Sequence, residues 1–263
     1  MIAANGLSGT IGRHLEPHVE KINFDLSANK EDFSNLKLDH ISQLIHLAGI
    51  VGEGKVMSDL TRSYKINVDG LSHLAEEFHK TSSGRFIYIS SSHVYAPSNL
   101  PLSEDSVKRP INKYAEQKLI AETKLAEIFA RSPHRLLIIR VFSVLDFDVP
   151  DFTLGGAIRG IAIDGVEKNL QNVDDVRDFL TPRAIAHAIL EISKLLDAPN
   201  VINLCTGKGK SVRQAAVEMC RSRGIEFPSE KLISGNSDIP YIVGNNSLLL
   251  NLCPDLKLIW TPS

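Results

Sequence analysis

Short apolar runs alternate with longer stretches of helical periodicity along most of the chain. The apolar runs are rich in Ile, Leu and Val and lack polar alternation, which predicts strands buried on both faces. They lie at 44–49, 85–91, 135–143 and 200–205. The helical patterns lie at about 58–80, 112–131 and 177–196. This alternation predicts right-handed βαβ units, and therefore an α/β fold whose parallel sheet is covered by helices on both faces.

Two regions fit this alternation poorly. Residues 146–176 contain Pro150 and four glycines and look loop-rich, and residues 206–263 begin with a loop that leads into a helix. We interpret both as one small discontinuous lobe that packs over the sheet. The predicted division is therefore 1–145 plus 177–205 for the domain that contains the sheet, and 146–176 plus 206–263 for the C-terminal lobe.

Bulk composition excludes several classes of function. With 263 residues, a net charge of −2 and 43% hydrophobic residues, the chain is an ordinary globular protein without the basic field that nucleic acid or an anionic membrane would require. No apolar run approaches the roughly 18 residues of a membrane span, and the N-terminus lacks the basic flank of a signal peptide. Three scattered cysteines form no metal or disulfide framework. We expect no bound metal and a cytoplasmic location.

A glycine-rich turn follows the first short apolar run. Gly6, Gly9 and Gly12 recur at intervals of three in "NGLSGTIG", between a predicted strand and a predicted short helix. Glycines at such a turn let the backbone approach a pyrophosphate, and the N-terminus of the helix supplies free N–H groups. The spacing differs from the usual Gly-x-Gly-x-x-Gly, so a simple tight turn is the alternative.

The sequence does not decide which residue would bind the adenosine ribose of a dinucleotide at this turn. Asp25 lies 19 residues after Gly6, close to the expected offset for an acidic residue. It either holds the ribose, touches adenine from the next strand end, or caps the segment that follows. Arg13 is placed to meet a 2′-phosphate. The cofactor is therefore predicted as NAD or NADP, without a choice between them.

A serine cluster and a Tyr–Lys pair supply the candidate chemistry. "FIYISSSHVY" places three serines at the end of a predicted buried strand, where parallel sheets bind ligands. Tyr114 and Lys118 follow one helical turn apart, on one helix face. A phenol with a pKa near 10 is a poor base, and a nearby ammonium should lower that value. Tyr114 could then exchange a proton with a carbinol oxygen that Ser91 holds, unless the pair is only a solvated helix face.

Taken together, these motifs resemble the extended short-chain dehydrogenase/reductase family, which contains NAD-dependent nucleotide-sugar epimerases, dehydratases and reductases. The stretches that carry the resemblance run along nearly the whole chain: "GLSGTIG", "HLAG", "INVDGLSHL", "ISSSHVYA", "YAEQK", "RDF" and "NLCTGKGKSV". The resemblance implies a catalytic Ser91, Tyr114 and Lys118. It also implies that Asn67 supports the helix that carries Lys118.

The resemblance also implies that 1–145 plus 177–205 is a Rossmann-like, doubly wound NAD(P)-binding domain and that the C-terminal lobe binds substrate. It assigns individual binding residues as well. The implied cofactor-binding set is Gly6, Ser8, Gly9, Thr10, Ile11, Gly12, Arg13, Asp25, Leu26, Leu47, Ala48, Gly49, Asn67, Tyr114 and Lys118. The implied substrate-binding set is Ser92, Ser143 and Arg177. Arg177 would grip the substrate pyrophosphate, or it simply pairs with Asp174 or Asp175.

Departures from the family pattern bear on the reaction. The family's dehydratases carry acidic residues where this chain has Ser92 and His93, which disfavours sugar dehydration. In family reductase-epimerases the position of His93 holds an acid/base group, and His93 either takes that part, with a pKa near 6.5 before any shift, or is structural. The family asparagine that faces the substrate phosphates is Ser143 here.

The function that follows from the resemblance is NAD(P)-dependent oxidoreduction of a nucleotide sugar by a Ser–Tyr–Lys mechanism, either as an epimerase or as a keto-sugar reductase. The alternatives are a reductase of a non-sugar carbonyl and a catalytically silent dinucleotide sensor or scaffold. The implied assembly is a homodimer that pairs the two long helices, with no nucleic-acid or membrane partner.

Overall fold

The computed structural model describes residues 1–256, 258 and 260. Its strands are β1 (Ile2–Asn5), β2 (Glu20–Lys21), β3 (Gln43–His46), β4 (Arg85–Ser91), β5 (Leu136–Val141), β6 (Ser143–Val144), β7 (Val176–Arg177), β8 (Phe179–Leu180), β9 (Val201–Leu204), β10 (Lys210–Ser211) and β11 (Tyr241–Ile242). Its α-helices are α1 (Lys30–Phe33), α2 (Glu53–Ser58), α3 (Leu60–Tyr64), α4 (Leu71–Thr81), α5 (Lys113–Ile128), α6 (Leu154–Ala162), α7 (Pro182–Ser193), α8 (Val212–Arg221) and α9 (Ser247–Leu252).

The central sheet has six parallel strands in the order β2-β1-β3-β4-β5-β9. Every residue of β4 and of β5 is buried, as expected for strands covered on both faces. One apolar cluster packs α7 on one face of the sheet, and a second packs α4 and α5 on the other. The predicted α/β fold with a doubly wound parallel sheet is therefore confirmed.

A third apolar cluster lies outside the sheet and joins α6 and α8. Beside it, β7 pairs antiparallel with β10 and parallel with β11, which links segments near 176, 210 and 241. The carboxylate of Asp178 accepts hydrogen bonds from the N–H groups of Thr206 (2.8 Å) and Gly207 (2.9 Å) where these segments meet the sheet. We retain the two-lobe division as a proposal.

The strand and helix boundaries need four corrections. The strand predicted at 44–49 ends at His46, so that Leu47–Gly49 lie beyond the sheet. The helix predicted at 177–196 begins only at Pro182, because Thr181 caps it with a hydrogen bond from the N–H of Ala184 (3.2 Å). The loop-rich region 146–176 contains α6, which Thr153 caps. The helix predicted at 112–131 spans Lys113–Ile128.

The predicted helix at 58–80 is not continuous. Asp59 ends α2 and caps α3 by accepting the N–H of Arg62 (2.9 Å). A π-helical turn, Lys65–Gly70, then precedes α4. A side chain at Gly70 would collide with the carbonyl of Leu26, so this turn lies close against the segment after β2. π-Helical turns often mark functional positions, and this one carries Asn67.

The short helix predicted after the glycine turn is also wrong. Two 3₁₀ turns, Gly12–His14 and Glu16–His18, occupy its place, and β2 begins at Glu20. Only seven residues separate Gly12 from Glu20, and one of them is Pro17, which has no N–H to donate. Because a 3₁₀ turn of this length aligns few peptide dipoles, an anion here must be bound mainly by individual N–H groups.

A buried ion pair joins β5 to α5. Arg140 donates to both carboxylate oxygens of Glu122 (2.7 and 3.0 Å), and the two side chains are 2% and 6% exposed. Ser90 donates to the same carboxylate (2.6 Å), and Arg140 also donates to the hydroxyl of Tyr95 (2.8 Å). Each donor nitrogen of Arg140 and the hydroxyl of Ser90 therefore has an acceptor. This is the condition for burying a charge at tolerable cost.

We expect Glu122→Gln to lower the free energy of unfolding by about 3–5 kcal/mol, because it leaves the buried guanidinium without its counter-charge. Denaturant unfolding measures the loss. Glu116→Gln is the matched control on the same helix. It removes only the exposed pair with Lys113 and should cost less than about 1 kcal/mol. Equal losses in the two variants would contradict the prediction.

Candidate active site

Three chain turns meet at the carboxyl ends of β1, β3 and β4. Because β1 lies between β2 and β3, the chain leaves β1 in one direction and later returns on its other side. The crevice beyond such a reversal is where α/β sheets bind ligands. The glycine turn, the segment Leu47–Gly49 and the serine cluster all lie at this edge.

The glycine turn is packed tightly except at its middle glycine. Gly6 has φ +71°, and a Cβ there would lie 2.5 Å from the N of Ala48. A Cβ on Gly12 would collide with the carbonyl of Gly6. A Cβ on Gly9 would meet only the Gly6 oxygen, at 3.2 Å, and Gly9 is exposed. Gly6 and Gly12 are therefore required by the fold itself, whereas Gly9 faces open space.

Free donors surround that open space. The N–H groups of Gly9 and Arg13 are bonded within the turn, at 3.0 and 3.1 Å. Those of Ser8, Thr10 and Ile11 have no acceptor within the described part of the chain. Unpaired N–H groups around a glycine without steric neighbours fit an anionic diphosphate.

Asn5, which the sequence analysis missed, fixes the other side of the crevice. Its side-chain oxygen accepts the N–H groups of Leu47 (3.1 Å) and Ala48 (3.2 Å), and its amide donates to Nδ1 of His46 (2.9 Å). Burial, and then the charge of Lys118, lower the pKa of His46 to about 3, so this imidazole stays neutral. The signal in the sequence was a polar residue at the end of an apolar strand.

Gly49 and Asn67 continue this edge. Asn67 accepts the N–H of Ile50 (2.7 Å) and donates to Gln117 on α5 (2.9 Å). A Cβ on Gly49 would lie 2.8 Å from the Asn67 oxygen. The expected link between Asn67 and the helix that carries Lys118 thus exists, and it runs through Gln117, which the sequence analysis did not single out.

The residues predicted to contact the adenosine part of the cofactor bond to or pack against other parts of the protein. Asp25 is exposed, and its carboxylate accepts both the N–H (2.8 Å) and the hydroxyl (2.7 Å) of Ser27, which lower its pKa. These bonds close a local turn, whereas the helix that follows, α1, is capped by Asn29. Leu26 is buried under Gly70. Arg13, expected near a 2′-phosphate, forms an ion pair with Asp148 (3.0 Å).

The structure brings Ser91, His93, Tyr114 and Lys118 together beside the carboxyl end of β4. Asn112 caps α5 by accepting the N–H of Ala115 (2.8 Å), which places Tyr114 in the first turn of the helix. Lys118 donates to the carbonyl of Ile89 on β4 (2.8 Å). The centroids of the Tyr114 and His93 rings lie 6.5 Å apart, and the Ser91 hydroxyl lies 3.2 Å from Nδ1 of His93, within hydrogen-bonding distance. The pair is thus not a solvated helix face.

The electrostatics of this cluster differ from the sequence expectation. Burial raises the pKa of Tyr114 to about 12, against the hydrogen bond from Ser91. Burial lowers the pKa of Lys118 to about 8, against the charge of Glu122. The expected lowering of the Tyr114 pKa is therefore wrong for this structure, because the burial of the phenol dominates. Burial and then Arg177 lower the pKa of His93 to about 4, below the 6.5 of a free imidazole.

The three predicted substrate residues are placed differently from one another. The hydroxyl of Ser92 is buried and has no partner among the described residues. Ser143 lies in β6, where its N–H donates to the carbonyl of Asp178 (2.9 Å). Arg177 is 15% exposed and pairs with Asp175 (2.8 Å), so the ion-pair alternative is the one observed. Its charge still bears on His93.

Comparison with known proteins decides the family. Residues 8–205 match the model of the NAD dependent epimerase/dehydratase family. The chain belongs to this family. It is 30% identical to GDP-6-deoxy-D-mannose reductase of Pseudomonas aeruginosa over 229 residues, which are 80% of this chain and 75% of that protein. It is 26% identical to UDP-glucose 4-epimerase of Rhizobium leguminosarum bv. trifolii, over 77% and 68% of the two chains.

Two solved structures superpose closely on this chain. RMD from Pseudomonas aeruginosa complexed with NADPH has a TM-score of 0.85 at 25% identity, over 99% of this chain and 94% of that one. MoeE5 in complex with UDP-glucose and NAD has a TM-score of 0.83 at 21% identity with the same coverage, a likeness of fold. The family is NAD(P)-dependent, as predicted, and its relatives include both reductases and epimerases. No helix in the described residues is long and apolar enough to cross a membrane.

The contrast between the glycines gives a test of the cofactor cradle. We expect Gly9→Val to abolish most NAD(P)(H) binding with little loss of stability, because the new side chain meets open space in the protein and a diphosphate in the complex. Isothermal calorimetry measures the affinity. Gly12→Ala should instead lower the unfolding midpoint, because its Cβ collides with backbone. A folded Gly9→Val protein that binds the cofactor like the parent would contradict the prediction.

Proposed function

We propose that this chain reduces a keto group on the sugar ring of a nucleoside-diphosphate sugar, with NADPH or NADH. The observation that carries the proposal is the convergence of Ser91, Tyr114 and Lys118 beside a glycine turn that suits a diphosphate. The 30% identity to a GDP-6-deoxy-D-mannose reductase supports reduction over other outcomes.

The roles follow from chemistry. A bound NAD(P)H supplies hydride to the carbonyl carbon. Tyr114 stays protonated at neutral pH, since its pKa is about 12, and therefore donates its proton to the carbonyl oxygen. The hydroxyl of Ser91 hydrogen-bonds the same oxygen and holds it within reach of the phenol. Lys118, anchored on the Ile89 carbonyl, supplies a positive charge that stabilises the phenolate left behind.

The substrate side of the proposal rests on Ser92 and Arg177. The unpaired Ser92 hydroxyl is a donor for a sugar hydroxyl. Arg177 would exchange part of its contact with Asp175 for a substrate phosphate, since a guanidinium has five donors. Ser143 remains a proposed phosphate neighbour. We also propose a cytoplasmic homodimer that pairs α4 and α5 with their copies, the two helices being joined within one chain by Lys124 and Asp69 (3.3 Å).

Tyr114→Phe tests the proposal most directly. It removes one hydroxyl, so we expect packing and cofactor affinity to change little while turnover falls by roughly 10²–10⁴, the usual range for general acid–base catalysis. Steady-state reduction of a nucleotide-linked keto-sugar measures the effect. Near-parental turnover in a folded Tyr114→Phe protein would contradict the mechanism.

Lys118 provides the accompanying pH control. Its ammonium is present below its pKa of about 8 and is lost as the pH rises through that value. Turnover of the parent should therefore fall above about pH 8. The Lys118→Met protein should turn over more slowly at every pH, and its turnover should no longer fall as the pH rises above about 8.

The second candidate is epimerisation, which the 4-epimerase relative and the position of His93 beside Tyr114 favour. If His93 moves a proton on the carbon beside the ketone, His93→Asn should stop solvent deuterium from entering the sugar ring while hydride transfer continues. Mass spectrometry of the product in D₂O measures the uptake. Equal uptake in variant and parent assigns His93 a structural role.

A further inference from the structure

The segment of residues 146–153, hereafter the strap, has no role in the proposal above. The sequence analysis placed it in the substrate lobe. It follows β6 at the far side of the sheet, but its side chains contact the two turns that border the cofactor crevice. Those turns follow β1 and β3.

The strap holds its own shape. Arg159 on α6 donates to the carbonyls of Phe147 and Val149 (3.0 Å) and to the carboxylate of Asp151. Thr153 donates its hydroxyl to the carbonyl of Pro150 (2.7 Å).

Two glycines let the strap fold back onto the first turn of α6. A Cβ on Gly155 would collide with the Asp146 carbonyl, and a Cβ on Gly156 would collide with that of Pro150. The strap is therefore held against α6, which is anchored through the apolar cluster that it shares with α8.

Two contacts join the strap to the crevice. At one end, Asp148 pairs with Arg13, one residue after the last glycine of the turn (3.0 Å), and Arg13 also donates to the Asp148 carbonyl. At the other, the Lys55 ammonium lies 4.0 Å from the centre of the Phe152 ring, which also packs against Gly52. A segment that touches both turns must cross the crevice between them.

These two contacts are much weaker than the set of hydrogen bonds from Arg159 and Thr153 that holds the strap together. Asp148 is 78% exposed and Phe152 is 50% exposed, so water and salt compete for both. An exposed ion pair or an exposed cation–π contact shifts an equilibrium by no more than about fivefold. The strap can therefore detach at Arg13 and Lys55 while its own hydrogen bonds persist.

Arg13 can serve the strap and an anion together. Its Nε is buried without an acceptor among the described residues, so one of its donors is unused. The strap carries three aspartates, which would repel a diphosphate beneath it unless a cation lies between them. Arg13 pairs with one of these aspartates, Asp148, and would supply that cation.

We propose that residues 146–153 form the removable outer wall of the dinucleotide site, and that this wall opens at Arg13 and Lys55 to admit and release the cofactor. The proposal rests on the proposed function, because it assumes that NAD(P) occupies the crevice. It makes Asp148, Phe152 and Lys55 positioning residues of the cofactor site rather than parts of a substrate pocket.

The test is cofactor release, followed by stopped-flow fluorescence of NADPH and of NADH. Asp148→Asn and Phe152→Ala should each speed dissociation about threefold, and the double variant about tenfold, the changes expected from contacts of this kind. Added 0.5 M NaCl should speed release from the parent towards the Asp148→Asn rate, and should affect Asp148→Asn less.

Matched controls exclude general surface effects. Asp39 has the same 78% exposure as Asp148, and Val166 at 48% resembles Phe152, yet neither belongs to the strap. Asp39→Asn and Val166→Ala should leave the release rates unchanged. Unfolding midpoints of all variants, measured in parallel, show whether each remains folded.

Three results would overturn the proposal. Release from the double variant within twofold of the parent means that the strap does not close the site. A raised KM for the sugar substrate with unchanged cofactor rates assigns the strap to the substrate. A parent protein that binds neither NADPH nor NADH overturns the proposed function, and this proposal with it.

Discussion

The bidentate contact between Arg140 and Glu122 determines how the site is assembled. It joins β5 to α5 where neither side chain meets water, and Ser90, one residue before the candidate serine, donates to the same carboxylate. Because α5 is fixed there, Tyr114 and Lys118 two turns and one turn earlier have little freedom relative to β4. The Lys118–Ile89 hydrogen bond then completes a link that Glu122 begins. The position of the Tyr114 phenol thus depends on a charge pair that lies two helical turns away from it.

The glycine turn meets a different constraint, because it lacks the long helix that usually follows such a turn. Gly6 and Gly12 are needed to bring the backbone against Ala48 and back onto itself, and Gly9 alone faces the crevice. Asn5 ties the turn to the end of β3 with three hydrogen bonds. Rigidity that a helix would supply elsewhere is supplied here by one buried amide.

Most of the fold could be predicted because its signals are local. After Arg85, the run 85–91 is apolar or aromatic up to its serines, and it became β4 residue for residue. The start of α7 was also readable, since Thr181–Pro182 is a capping residue followed by proline at the first helical position, although the apolar pattern concealed it. The break at Asp59 is harder, because the apolar periodicity continues across it.

The parts that could not be predicted depend on distant residues. Glu122 and Arg140 are 18 positions apart, and no pattern in the sequence indicates that they pair, so neither was predicted. The direction of the Tyr114 pKa depends on how deeply the phenol is buried, which the i to i+4 spacing does not reveal. The residues of the chemical cluster were readable from motifs, whereas their electrostatic environment required the folded chain.

The carboxylate of Asp178 has a consequence for the order of assembly during synthesis. It accepts N–H groups from Thr206 and Gly207, and more distantly from Gly244 (3.4 Å). The last of these leaves the ribosome 66 residues after the aspartate. Burial raises the pKa of this carboxylate, and each N–H group that it accepts opposes that rise and lowers the cost of leaving water. The sheet up to β5 can form on the ribosome, but the full set of donors to Asp178 is complete only after residue 244 has emerged.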